Sequence, residues 1–108
     1  MKRTFEFIAR KRVERAYLVG VNLSGSSATA HEHLEELEQL AATAGAEVVG
    51  RTVQGRNRVD ITTYIGEGKV AEIKEICEQW AVNLVVFDDD LSPAQGKNLE
   101  KILNVRVI

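Results

Sequence analysis

The sequence predicts an α/β fold with a four-stranded, mostly parallel sheet and helices on both of its faces. Apolar runs alternate with segments of helical periodicity along the 108 residues, and the run at residues 84–87 contains no polar residue. Such runs are typical of strands that are covered on both faces. Strands that alternate with helices form parallel sheets through right-handed crossovers.

The predicted strands occupy residues 16–21, 47–54 and 84–87, and a fourth begins at Val105. The first and third strands are the most apolar, so we place them at the centre of the sheet. The second contains Arg51 and Gln54, which is typical of a more exposed edge strand. The predicted strand order is therefore 2-1-3-4.

The first predicted helix begins with a T-x-x-E capping box, formed by Thr29 and Glu32, and stops at Gly45. Its apolar periodicity indicates one buried face. The residues of that face are Leu34, Leu37, Leu40, Ala41 and Ala44.

The second helix opens at a glycine pair, Gly66 and Gly68, and the third begins at Pro93. Ser92 is the expected cap of the third helix, and Gln95 is placed to close a capping box with it. The second helix carries an apolar stripe that we expect to be buried. Its members are Val70, Ile73, Ile76, Cys77 and Trp80.

Composition indicates a soluble domain, since 44% of the residues are hydrophobic and 28% are charged. No apolar run approaches the roughly 20 residues that a membrane span needs, so we expect a cytoplasmic protein. Residues 1–15 hold six basic and two acidic side chains, whereas the remainder holds eight basic and fourteen acidic ones. We therefore divide the chain into a basic arm, residues 1–14, and an α/β domain, residues 15–108. A basic arm is compatible with RNA contact, although a short basic terminus is often only solvated.

The glycine pair and Lys69 do not form a P-loop. Walker A requires a glycine five residues before Gly68, where Thr63 stands, and a serine or threonine after the lysine, where Val70 stands. No catalytic residue is predicted in this chain. The start of a helix still offers backbone N–H groups to an anion such as an RNA phosphate. The predicted RNA- or anion-binding residues are Arg56, Arg58, Tyr64, Gly66, Gly68 and Lys69; the alternative is that the glycines only permit the turn and the lysine is solvated.

A second candidate site lies where the sheet is expected to reverse its strand order, at the carboxyl ends of the first and third strands. The residues of this possible ligand site are Asn22, Ser24, Ser26, Asp88 and Asp89. The alternative is that the acidic residues stabilise the N-terminus of the following helix and bond to neighbouring backbone. An oxygen-rich cluster such as Asp88 to Asp90 would suit magnesium, but the structural interpretation is favoured there, and His31 and His33 fall on different faces of a helix, so no metal site is predicted.

Two motifs carry a resemblance to a known family. They are Tyr64-Ile65-Gly66-Glu67-Gly68-Lys69-Val70 and Phe87-Asp88-Asp89-Asp90-Leu91-Ser92-Pro93-Ala94-Gln95, followed by Asn98-Leu99-Glu100. With the pattern between them, these residues resemble the N-terminal domain of HflX, a family of bacterial ribosome-associated GTPases. The resemblance extends over residues 14–108. Departures from the family pattern are Val59 and Ile61 in place of prolines, Asp90 in place of a glutamate, and Gly96 in place of a longer polar residue.

The resemblance implies that the parent protein binds the large ribosomal subunit and separates or rescues stalled ribosomes. A helical segment and a GTPase domain would follow this domain, and GTP and Mg²⁺ would be used there, with no cofactor in this chain. The implied partners are ribosomal RNA and the protein's own C-terminal GTPase domain. This domain would contribute ribosome binding or regulation.

Two other functions stay open at this point. One is a purine-nucleotide site, for ATP, at the point where the strand order reverses. The other is a structural module that restrains the GTPase domain.

Overall fold

A computed structural model describes residues 14–23, 27–56 and 58–108. It contains strands β1 (Arg15–Asn22), β2 (Glu47–Gly55), β3 (Leu84–Phe87) and β4 (Arg106–Val107). All neighbouring strands are parallel, in the order β2-β1-β3-β4, which confirms the predicted sheet. The helices are α1 (Ser27–Thr43), α2 (Glu67–Trp80) and α3 (Pro93–Leu103). The predicted basic arm, apart from Glu14, and Ser24 and Ser26 lie outside the described residues.

Helices cover both faces of the sheet, as predicted. On one face, Tyr17 and Val19 of β1 belong to a buried cluster to which α2 and α3 contribute. On the other face, α1 packs over β1 and β2. There the absence of a side chain at Gly20 matters, because a Cβ atom would come within 3.3 Å of the Leu34 side chain. The close approach of α1 to the sheet thus depends on that glycine.

The third helix begins as its sequence predicts. The Ser92 hydroxyl accepts the Gln95 N–H at 3.1 Å, and the Gln95 side-chain oxygen accepts the Ser92 N–H at 2.9 Å. Pro93 occupies the first helical position, where its missing N–H costs nothing. The predicted capping box is therefore confirmed.

The predicted start and buried face of α1 are partly wrong. The helix begins at Ser27, so Thr29 lies within its first turn and does not cap it. Leu34 is fully buried, but Leu40 is 68% exposed and Ala44 is also exposed. At about 100° per residue, Leu40 projects roughly 120° away from Leu34 around the helix axis. A helix that covers two strands at one side of a sheet buries a narrower stripe than the periodicity indicated.

Trp80 is not a core residue, contrary to the prediction, because 51% of it is exposed. It is the last residue of α2, and its carbonyl accepts a 2.9 Å hydrogen bond from Nε of Arg15, the first residue of β1. The end of α2 thus lies at the amino edge of the sheet, where Trp80 lines an open groove with residues of β1 and β2. Val70, Ile73 and Cys77 of the same stripe are buried, as predicted.

Candidate functional site

The connection between β2 and α2, residues 56–66, is called the β2–α2 loop here. It turns sharply at Asp60, whose carboxylate accepts the N–H groups of Thr62 at 2.8 Å and Thr63 at 3.1 Å. The backbones of Asp60 and Tyr64 exchange two further hydrogen bonds, of 3.0 and 2.9 Å. The N–H groups of Thr63 and Thr62 stabilise the charged carboxylate and so lower the pKa of Asp60. The turn leaves Ile61 at its tip, 90% exposed.

Two side chains of α3 hold this loop in place. The side-chain amide of Gln95 donates to the Asp60 carbonyl at 2.8 Å, and that of Asn98 donates to the Thr62 carbonyl at 3.0 Å. Neither contact with the loop is predicted from the sequence. The spacing of three residues between these side chains puts both on one face of a helix and is the signal that could have identified them.

The predicted anion site begins where Arg56 meets the start of α2. Gly66 is the cap residue of α2, and its N–H donates to the Gln54 side-chain oxygen at 3.0 Å. A Cβ atom at Gly66 would overlap the Arg56 guanidinium, so this glycine is needed for their close approach. The Nε of Arg56 donates to the Arg58 carbonyl at 3.0 Å. By contrast, a Cβ atom at Gly68 would meet open space.

The positive charges of this region fall into two groups. Lys69 pairs with the Glu72 carboxylate at 2.8 Å and lies 3.4 Å from the Thr52 hydroxyl, and only 19% of its side chain is exposed. Arg51 pairs with Glu38 at 3.5 Å. Arg56 and Arg58 form no such ion pair with any residue in the described parts of the chain. No carboxylate within ion-pair distance offsets the charge of either arginine in the described residues, although the charge of Arg56 helps to lower the pKa of Asp60.

Tyr64 connects the loop to the acidic turn that follows β3. Its hydroxyl donates to the Asp89 carboxylate at 2.8 Å, and its ring meets Phe87 edge-on with 6.1 Å between centroids. Burial and then the hydrogen bond to Asp89 raise the pKa of the Tyr64 hydroxyl. The backbone of Tyr64 has a φ of 67°, a conformation that a bulky residue rarely adopts. Several contacts around the tyrosine hold it in this conformation.

The second predicted site is occupied largely by contacts within the domain. Asp88 lies 3.6 Å from Nδ1 of His33, and Asp89 accepts the Tyr64 hydroxyl. The Asn22 carbonyl at the end of β1 accepts the Arg56 N–H at 3.1 Å, so the two predicted sites adjoin. In the described ranges, no three metal-ligating side chains lie together.

A groove of about 590 Å³ lies between the β2–α2 loop, α2 and α3. Arg56 and Gly66 line it at the loop end, and Glu67, Lys74 and Ile102 line it along the helices. Its charges are mixed, so it offers no single sign to a ligand.

A family model described as "GTP-binding GTPase N-terminal" matches residues 31–108, which is more than half of the chain. The chain belongs to this family. The match contains the β2–α2 loop, the start of α2 and the acidic turn, and so covers every described residue of the two predicted sites except Asn22.

Several curated relatives carry the name GTPase HflX. The chain is 42% identical over 104 residues to the protein of Lacrimispora saccharolytica, covering 95% of this chain and 24% of that one. It is 36% identical over 101 residues to the protein of Alkalihalophilus pseudofirmus, covering 94% and 24%. It is 39% identical over 77 residues to the Escherichia coli protein, covering 71% and 18%. The chain therefore corresponds to the N-terminal domain of HflX and spans about a quarter of the length of its first relatives.

A crystal structure of an SsGBP variant shares the fold. It superposes with a TM-score of 0.61 at 19% identity and covers 88% of this chain and 28% of that one. Among the helices of the described residues, none is long and apolar enough to cross a membrane.

Proposed function

We propose that this domain is the ribosome-binding or regulatory N-terminal domain of an HflX-type GTP-binding protein, and that it contacts RNA of the large ribosomal subunit. The longer protein would hydrolyse GTP with Mg²⁺ in a domain beyond the matched region, act in ribosome splitting or rescue, and work in the cytoplasm. Membership of the HflX family and the HflX names of the relatives support this proposal.

The observation that carries the RNA contact is the arrangement of Arg56 and Arg58. Both guanidinium groups lack an ion pair in the described parts of the chain, and a hydrogen bond from Arg56 to the Arg58 carbonyl ties their loop together. Arginine binds phosphate through planar, two-pronged hydrogen bonds. A loop that holds two such groups beside a helix N-terminus matches the charge of an RNA backbone.

The other residues of the predicted site support this contact in different ways. Gly66 makes room for the Arg56 guanidinium. Tyr64 fixes the end of the loop through its hydrogen bond to Asp89, so in this proposal its effect on RNA is mainly through the position of the loop. Lys69 contributes less than the arginines because Glu72 offsets its charge. Gly68 leaves open space in the first turn of α2, where a phosphate could approach the backbone.

The acidic turn disfavours the ATP alternative. Asp88, Asp89 and Asp90 are three successive exposed carboxylates at the carboxyl edge of the sheet. A triphosphate placed beside them would meet like charges, and the Asp89 carboxylate is already engaged by Tyr64.

Co-sedimentation of the purified chain with large ribosomal subunits tests the proposal. The variant carrying Arg56→Ala and Arg58→Ala should pellet with the subunits at least tenfold less well than wild type. The matched control carries Lys97→Ala and Lys101→Ala, which removes the same charge from exposed positions of α3. An equal loss of binding in both variants would mean that binding depends only on the net charge of the protein. Unchanged binding in both variants would mean that the β2–α2 loop does not contact the ribosomal subunit.

A further inference from the structure

The hold of α3 on the β2–α2 loop falls on both sides of the tip of the loop. Gln95 donates to the carbonyl of Asp60, before the tip, and Asn98 donates to the carbonyl of Thr62, after it. Ile61 lies between the two acceptors and is 90% exposed. The tip is therefore held through the backbone of its neighbours and not through burial of its own side chain.

Gln95 joins this turn to the start of α3. Its side-chain oxygen accepts the Ser92 N–H as part of the capping box, while its side-chain nitrogen donates to the Asp60 carbonyl. The residue is buried, with only 8% of it exposed. A glutamate would serve the capping box equally well, but an ionised glutamate has no proton to donate to a carbonyl. The requirement for glutamine at this position therefore comes from the loop and not from the cap.

The turn that α3 holds adjoins the two arginines. Arg56 and Asp60 line the same groove, and the backbone N–H of Arg56 donates to the Asn22 carbonyl at 3.1 Å. Only residues 57–59 separate that fixed point from the turn. Because Arg58 lies within this short stretch, the hold of α3 on the turn limits the positions that its side chain can reach.

We propose that Gln95 and Asn98 are positioning residues of the RNA contact. They hold the β2–α2 loop in the conformation in which its two arginines meet phosphates, and neither residue touches the RNA. A loop that is already ordered avoids the entropy cost of ordering when it binds. α3 therefore sets the affinity of the arginines through the backbone of the loop. This inference rests on the proposed function and assigns two further residues to it.

Two substitutions separate the hold on the loop from the cap of α3. With Gln95→Glu, the carboxylate can still accept the Ser92 N–H but, when ionised, cannot donate to the Asp60 carbonyl. Asn98→Ala removes the other donor without a change of charge. Lys97→Ala is the matched control for Gln95→Glu, because each substitution makes the net charge more negative by one and Lys97 is exposed on the same helix.

Amide hydrogen exchange measures the hold on the loop in the absence of RNA. The backbones of Asp60 and Tyr64 exchange two hydrogen bonds, so both amides exchange with solvent when the turn opens. Gln95→Glu and Asn98→Ala should each speed this exchange by roughly three- to tenfold, the equivalent of one lost hydrogen bond. The amides of β1 should exchange as in wild type, and Lys97→Ala should change neither set. Unchanged exchange of the loop amides, or equal acceleration of the loop and β1 amides, would overturn the proposal.

Binding to large ribosomal subunits across a salt series is the second measurement. Gln95→Glu and Asn98→Ala should each weaken binding by roughly three- to tenfold and leave the slope of log affinity against log salt as in wild type, because both arginines keep their phosphate contacts. Lys97→Ala should bind as wild type does.

The double-arginine variant, Arg56→Ala with Arg58→Ala, distinguishes a failure of this inference from a failure of the proposed function. If that variant loses binding while Gln95→Glu and Asn98→Ala open the loop and bind as wild type does, the positioning role is wrong and the RNA contact stands. If the double-arginine variant binds as wild type does, the proposed function is wrong, and the positioning role falls with it.

Discussion

The hydroxyl of Tyr64 donates a 2.8 Å hydrogen bond to the carboxylate of Asp89. This contact joins the end of the β2–α2 loop to the acidic turn after β3. The sequence predicted a basic site in the β2–α2 loop and a ligand site at the acidic turn, but it did not predict that the two are in contact. The two predicted sites are therefore in direct contact.

The Tyr64–Asp89 hydrogen bond predicts a loss of stability at alkaline pH. The pKa of Tyr64 is raised by burial and by this bond, so the folded protein holds the proton more tightly than the unfolded chain does. The associated stability is fully present below about pH 10, the pKa of an unperturbed tyrosine, and is lost as the pH rises further. Wild type should exceed Tyr64→Phe by about 1 kcal/mol at pH 8, and the difference should shrink by pH 11.

Urea unfolding of both proteins across this pH range measures the effect. The pKa of Tyr17 is also raised by burial, but Tyr17 is present in both proteins and cancels in the comparison. Two stability curves that stay parallel from pH 8 to pH 11 would show that the Tyr64 hydroxyl does not hold its proton through Asp89.

The two glycines at the start of α2 should respond in opposite ways to alanine. Gly68 lies inside the helix, a Cβ atom there meets open space, and Gly68→Ala should raise the free energy of unfolding by about 0.5–1 kcal/mol. Gly66→Ala should lower it by up to about 1 kcal/mol, since alanine is a poor cap and displaces the Arg56 side chain. Thermal or urea unfolding measures the stability of the two variants. Equal changes in the free energy of unfolding would contradict the different surroundings of the two glycines.

The cap of α3 should make a measurable contribution to the free energy of unfolding. Ser92→Ala removes the hydroxyl that accepts the Gln95 N–H and should cost about 1 kcal/mol in urea unfolding. Ser92→Asp, which restores a capping oxygen, is the control and should recover most of that stability. A Ser92→Ala protein as stable as wild type would show that the capping box is dispensable here.

Large side chains should contribute to the free energy of unfolding according to how deeply they are buried. Leu99 is fully buried, and Leu99→Ala should cost about 2–5 kcal/mol through lost burial and the cavity left behind. Trp80 is 51% exposed, so Trp80→Ala should cost only about 1 kcal/mol. Chemical denaturation of both variants measures this order, and a larger loss for Trp80 than for Leu99 would contradict the placement of the indole at the edge of the sheet.

Local sequence patterns predicted most of the fold. The apolar run at residues 84–87, the Ser92–Gln95 capping box and the turn at Gly66 each depend on residues close together in the chain, and each appears as predicted. The predictions that Trp80 and Leu40 are buried were wrong for one physical reason. Helical periodicity indicates which side of a helix is apolar, but not where the sheet beneath it ends.

The arrangement of the candidate site was less predictable. The Tyr64–Asp89 bond and the hold of Gln95 and Asn98 on the loop join residues distant in the chain, so their partners depend on how α3 packs against the loop. The pairing of Lys69 with Glu72 is different, since a spacing of three residues on a helix already indicated it. A local rule could therefore have shown that Lys69 is less available than the arginines.

The salt dependence of binding to large ribosomal subunits tests the central claim most directly. If Arg56 and Arg58 contact RNA phosphates, binding releases counterions, and removing each charge should flatten the slope of log affinity against log salt by roughly 0.7 to 0.9. We predict that wild type and the Lys97→Ala, Lys101→Ala control show the same steep slope, while the Arg56→Ala, Arg58→Ala variant shows a slope flatter by about 1.4 to 1.8. An unchanged slope and affinity in the double-arginine variant would contradict the account and place any RNA contact elsewhere on the protein.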